Sequence, residues 1–350
     1  MLIFSPLLLA IGLSGQGQTA PPSKPNAASV PSSDMVLLKT LKVGGEGGWD
    51  YVTLDADAGR LFVPRGTRVA VLDLDGKVMG EIAKTEGVHG VALAKDLGRG
   101  FTSNGRANTI TVFKLTTLEV LKEVRTTGEN PDAILYEPKT QQVFSFNGRG
   151  KNATVFDAKT LEVKGTIPMG GKPEFAVCDG NGRVFVNVED TSELLAINAK
   201  TLKVEGRWSL KPLEEPSGLA IDIVHQRLFA VGRNKLMAVV DATNGKILKT
   251  LPIGEGCDAA VFDPGTGCTY ASNGEGTLTI ITQDGKDNFT VFGTIPTRKG
   301  ARTMAVDGKT HLVYLPTAEY GLAPEAKSGQ RSRPPMIPDS FQILVVGKVH

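Results

Sequence analysis

The stretch Phe101–Val124, FTSNGRANTITVFKLTTLEVLKEV, holds one unit of a phrase that returns along most of the chain. A short apolar strand ends in Ser-Asn-Gly, a second strand follows at Thr109–Phe113, and a Thr-Thr-Leu turn leads into a third. Working outward, the phrase recurs at Val143–Ile167, Val184–Trp208 and Arg227–Leu251, and more loosely on either side, about every 40 residues. A Gly-rich or Pro-containing turn and one further apolar strand precede each copy, so the unit is four short strands. Short strands joined by Asn-Gly, Asp and Gly turns form antiparallel meanders. Meanders repeated at this period form the blades of a β-propeller, and the copies predict an all-β, seven-bladed ring over residues 35–350.

The predicted inner strands begin near Asp50, His89, Asp132, Glu174, Ser217, Asp258 and Arg302. The last copy supplies three strands. Met35–Val43 (MVLLKTLKV) reads as a fourth strand with no blade before it. Residues 35–43 are therefore expected on the outside of the last blade, closing the ring without leaving an inner edge open.

Composition narrows the partners. A formal charge of +2 and a pI near 8.3 are too mild to imply a nucleic-acid surface. Aromatics make up 6% of the chain, too few for stacking platforms. Cys257 and Cys268 fall in one blade at diagonal positions, too far apart for a disulfide, and with Cys178 read as small buried residues. There is no Cys-x-x-Cys-His, which excludes covalent c-type haem, and no Gly-x-Ser-x-Gly elbow, Walker loop or Rossmann fingerprint. The apolar run in Met1–Gly15 fits the core of a secretory signal, although no Lys or Arg precedes it and Pro21 disfavours cleavage after Ala20. Residues 1–20 are read as a signal peptide and 21–34 as a disordered linker. The mature chain is then periplasmic or secreted, with no membrane span.

Phe101-Thr102-Ser103-Asn104, followed by Asn108-Thr109-Ile110-Thr111-Val112, resembles the Tyr-Val-Thr-Asn repeat, and Tyr270-Ala271-Ser272-Asn273 is a second copy. Together they resemble the YncE-like family of seven-bladed propellers, exported bacterial proteins related to the haem d1 domain of cytochrome cd1 nitrite reductase. The wider superfamily includes seven-bladed lactonases. The resemblance covers nearly everything after residue 35 and implies the fold and export. It implies no single activity, because propellers of one shape host unrelated functions. Haem d1 would require an axial ligand, and His89 is the only inner-ring histidine.

Chemistry is expected where the inner strands begin. Asp50, His89, Asp132, Glu174, Ser217, Asp258 and Arg302 should converge on the central channel, with no apolar residue among them. Asn104, Asn147, Asn187 and Asn273 stand at matching ends of second strands and join them as candidate ligand contacts; Asn-Gly is also a turn signal. Arg65, Arg106, Arg149 and Arg233 follow in the adjoining loops. Four acids against one Arg call for a neutraliser, and a divalent metal on Asp50, His89, Asp132 and Asp258 is one candidate. His225, His311 and His350 read as solvated. The long loop at 317–338 belongs on the same face, as a lid or as a disordered insertion. The reading is a monomeric binding module for a small molecule or a protein. A lactonase-like hydrolase or lyase with His89 as base is the alternative, and a scaffold of a cell-envelope assembly the third.

Overall fold

The computed structural model describes residues 35–322 and 334–349; the expected signal peptide and linker, His350 and the middle of the 317–338 loop lie outside them. Among the described residues everything regular is β-strand except one 3-10 turn at Lys95–Leu97, and no helix is long and apolar enough to cross a membrane. Five sheets have four strands each and a sixth has seven. Within a sheet the strands follow one another antiparallel, as in Pro131–Glu137, Gln142–Asn147, Asn152–Asp157 and Val163–Pro168.

Burial explains the sequence pattern. The two middle strands of that sheet are buried almost throughout, whereas the outer one keeps most of its residues in solvent. Middle strands read as continuous apolar runs because both of their faces are covered by neighbouring sheets. The cores accordingly lie between sheets: Phe144, Phe146 and Val155 pack with Val184, Val186 and Leu195 of the next sheet.

The ends of the described chain meet. Met35–Lys42 pairs antiparallel with Gln342–Lys348, from Met35↔Lys348 to Lys42↔Gln342. Leu41 and Trp49 share a core with Leu61, Tyr314, Phe341 and Ile343. Arg65 fastens the junction from within. Its guanidinium donates to the carbonyls of Gly44 (3.2 Å), Gly45 (2.8 Å) and Glu46 (2.9 Å) and lies 3.7 Å above the Phe341 ring. Burial lowers its pKa to about 10, with the charge of Arg68 adding to the effect. This arginine is structural.

On the face opposite the inner-strand starts, several inner strands end in a buried acid that closes the following turn. Asp222 accepts from the Val224 N–H, Asp263 from the Gly265 N–H and Asp307 from the Lys309 N–H, all at 2.9–3.0 Å. Two histidines expected to be solvated are instead engaged here. His225 Nδ1 is 2.5 Å from Asp222 Oδ2 and His311 Nδ1 is 2.8 Å from Asp263 Oδ2, because a buried carboxylate needs more partners than the turn supplies. All three cysteines are free; Cys257 pairs with Asn273 and Cys268 with Asp263, at opposite ends of one hairpin.

Candidate functional site

A local irregularity aims the inner-strand residues. His89 falls in the register shift between Val88 and Val91, Glu174 between Pro173 and Ala176, Ser217 between Pro216 and Leu219, and Asp258 between Cys257 and Ala259. Asp132 sits in the equivalent shift opposite Ser145 and Asn147. A β-bulge inserts an extra residue against its partner strand, bends the strand and re-aims a side chain. Here the extra residue turns toward the channel. Asp50 and Arg302 reach the same place from the segments just ahead of Thr53–Asp55 and Ala305–Val306.

All seven residues line a single cavity of about 910 Å³. A smaller one of about 440 Å³ shares Asp50 and His89 with it and is walled by Gly48, Gly66, Gly87 and Gly105, with Arg106 and Arg149 on its lining. The glycines matter by what they omit: a Cβ on Gly105 would stand 2.7 Å from His89 Nε2. Tyr320 and Pro334, from the two sides of the long loop's neck, also line the larger cavity. That neck is held by Gly321 N–H donating to the Pro335 carbonyl and a bridge between Tyr320 and Met336.

The four asparagines line neither cavity and are fully buried. Asn104 donates to the hydroxyls of Thr109 and Thr111, Asn147 to Asn152 and Thr154, Asn273 to Thr277 and Thr279, each tying the second strand to the third. Asn187 donates to the carbonyls of Ser217 and Gly218, across to the next sheet. The structure places them in the wall and away from both cavities: their NH2 groups are spent on the fold, while the side-chain oxygens of Asn147, Asn187 and Asn273 are buried without a hydrogen-bond partner.

The ring itself is charged and unevenly paired. Arg302 donates to Asp258 at 2.7 Å and stands 3.7 Å from Asp50, and the cluster whose ligand atoms lie within 4.8 Å of one another is Asp50, His89 and Asp132, without Asp258. His89 Nδ1 is 2.7 Å from Asp50 Oδ2 and 3.6 Å from Asp132 Oδ1. Burial by itself would lower the His89 pKa; the hydrogen bond to Asp50 and the charges of Asp132 and Asp50 outweigh it and raise it to about 9. Burial, with the charges of Asp50 and Asp258, pushes the Asp132 carboxyl up to about 6 against the pull of His89. Burial and the Asp132 charge likewise push Glu174 up to about 8.

Sequence reading missed several residues of this cavity. Lys172 bridges Glu174 and Glu189, Glu215 pairs with Arg233, which the sequence had already placed in the adjoining loops, and Tyr51 donates to Glu174 at 3.3 Å. A signal for Lys172 existed: two residues before Glu174 in an extended stretch, it shares a side with it. Glu189 carried none, since its place depends on the length of the second strand.

No protein-family model matches the chain, and no curated protein matches it. Solved structures do. The WD40 repeats of RRP9 superpose with a TM-score of 0.74 at 10% identity, covering 91% of this chain and 100% of that one. U3-55K gives 0.73 at 10% identity, over 90% of this chain and 99% of that one. Kuenenia stuttgartiensis hydrazine synthase gives 0.67 at 13% identity, over 84% and 96%. At such identities the likeness is one of fold: the chain is a β-propeller.

Proposed function

We propose that this chain is an exported seven-bladed propeller of the YncE-like kind that binds a small polar ligand, cationic at one end, in the channel-face cavity. The convergence of the inner-strand residues on one cavity of about 910 Å³ carries the reading. The blade count takes the seven-stranded sheet as two blades sharing the 17-residue strand Val78–Ala94, with Met35–Lys42 completing the last. Export rests on the apolar run in residues 1–15. The cationic preference follows from charge. Asp50, Asp132, Glu174, Glu189, Glu215 and Asp258 outnumber Lys172, Arg233, Lys299, Arg302 and the protonated His89 on the lining by one once Glu174 is ionised. The hydrolase or lyase reading fits less well. An imidazole that Asp50 and Asp132 hold protonated donates a proton and is poorly placed to accept one.

The test is thermal unfolding of the full chain in EDTA with a panel of small diamines, amino sugars and dicarboxylates. Cationic members should raise the melting temperature in proportion to occupancy. That rise should vanish in the Asp132→Asn/Asp258→Asn double variant. Equal shifts from dicarboxylates, or shifts that survive the double substitution, would sink the proposal, as would a response to a protein partner alone.

A further inference from the structure

We propose that Asp50, His89 and Asp132 form a binding site for one divalent first-row transition-metal ion on the wall of the cavity. One ligand atom from each lies within 4.8 Å of the others. The separations, 2.7 Å from His89 Nδ1 to Asp50 Oδ2 and 3.6 Å to Asp132 Oδ1, bracket what an ion requires. Ligands held at roughly 2.0–2.2 Å in tetrahedral or octahedral order stand about 3 Å apart. The third pair, the Asp50 and Asp132 oxygens, also lies within 4.8 Å, so side-chain movement alone would bring the three atoms to one ion.

A second observation is independent of that spacing. Asp132 is 8% exposed, and its Oδ1 is buried without a hydrogen-bond partner. A buried carboxylate oxygen with nothing to accept is rare in a folded protein and calls for a bound group. This oxygen belongs to the carboxylate that faces His89 Nδ1.

The scaffold around the three residues is rigid in the way metal sites need. The Asp50 carbonyl accepts from the Thr303 hydroxyl at 2.9 Å, the His89 carbonyl from the Tyr51 N–H at 3.1 Å, and the Asp132 carbonyl from the Ser103 hydroxyl. Arg302 holds the other oxygen of Asp50 at 3.7 Å. Three protein ligands leave positions open to the cavity, as in sites that take up a substrate or water. One imidazole with two carboxylates suits manganese, iron or zinc better than calcium or a soft thiolate metal. Binding displaces the proton from His89 Nδ1 to solvent, and the ion takes over neutralisation of the two carboxylates. The inference goes beyond the organic-ligand reading and is tested without it.

The experiment strips the full chain with EDTA, dialyses it, and titrates Mn²⁺, Zn²⁺ and Co²⁺ at pH 8 by calorimetry, with the visible spectrum of Co²⁺ as a second readout. One ion per chain is expected. Asp132→Asn, which keeps the shape of the side chain, and His89→Gln should each weaken binding by roughly 100-fold or more. His311→Gln is the control: it breaks another His–Asp pair, that with Asp263, far from the cavity, and should stay within about threefold of wild type. Cooperative melting of each variant in EDTA establishes that it is folded, and Asp132→Asn suffices if His89→Gln is not. The proposal is overturned if no ion binds one to one, if Asp132→Asn binds like wild type, or if His311→Gln loses as much.

Discussion

Replacing Arg65 tests how the two ends of the chain are held together. The side chain is 2% exposed, and its guanidinium serves three carbonyls, those of Gly44, Gly45 and Glu46, while stacking on Phe341. Gly44 follows directly on Met35–Lys42 and Val43, and Phe341 directly precedes the partner strand Gln342–Lys348. Hydrogen bonds from a charged donor contribute about 1.5–3 kcal/mol each, and a close cation–π contact about 0.5–2 kcal/mol. Against this stands the penalty of burying a cation, several kcal/mol. The balance for Arg65→Met, which keeps the apolar stem, is a loss of about 3 kcal/mol, or roughly 4–5 °C in melting temperature for a domain of this size. Arg65→Lys should recover less than half, because an ammonium cannot reach three carbonyls in a planar fork. Circular dichroism melts and urea titrations of the purified variants give both numbers. An Arg65→Met protein melting within about 2 °C of wild type would refute the latch, as would full recovery by lysine.

Three further predictions concern charge and backbone. The Glu174 carboxyl sits above its ordinary range, so the stability of its protonated form is complete below about pH 4.5 and is lost as pH rises through about 8; Glu174→Gln should melt higher than wild type at pH 9 and alike at pH 4.5, and a lower melt at pH 9 would contradict the reasoning. Asp55 has the opposite sign: burial raises it, but Lys95 and Arg60 hold it below its ordinary range, so its contribution is present near neutrality and fades in acid. Asp55→Asn should lower the melt at pH 7 and converge with wild type near pH ~3, and a constant deficit across that window would show the loss is one of packing. Gly245 has φ +77° and a Cβ there would stand 2.0 Å from Trp208, whereas Gly285 has φ +65° with open space around it; Gly245→Ala should cost about 2–4 kcal/mol in urea unfolding and Gly285→Ala about 1 kcal/mol, an order that a reversed pair of midpoints would overthrow.

The strands and the inner-strand residues were legible in the chain because their signals are local. Asn, Asp and Gly fold turns with atoms two or three residues away, and a strand covered on both faces reads as an apolar run wherever it packs. The repeat then put His89, Asp132, Glu174, Ser217 and Asp258 in phase, one per copy, before any of them was seen beside another. What each group touches was not legible. Asn104 reads as turn or ligand until Thr109 and Thr111 stand across the strand from it. Arg65 reads as a loop arginine until Phe341, at the other end of the chain, lies beneath it. His225 and His311 read as solvated until buried carboxylates face them. Lys172, Glu189 and Tyr51 join the cavity only when bulges and strand lengths set how far each side chain reaches. Composition and period determine secondary structure and repeat phase, because those depend on neighbours along the chain. Which polar groups pair, which remain unpaired and which pKa values move was decided by the tertiary structure alone, since burial and the distance between charges exist only once remote strands have met.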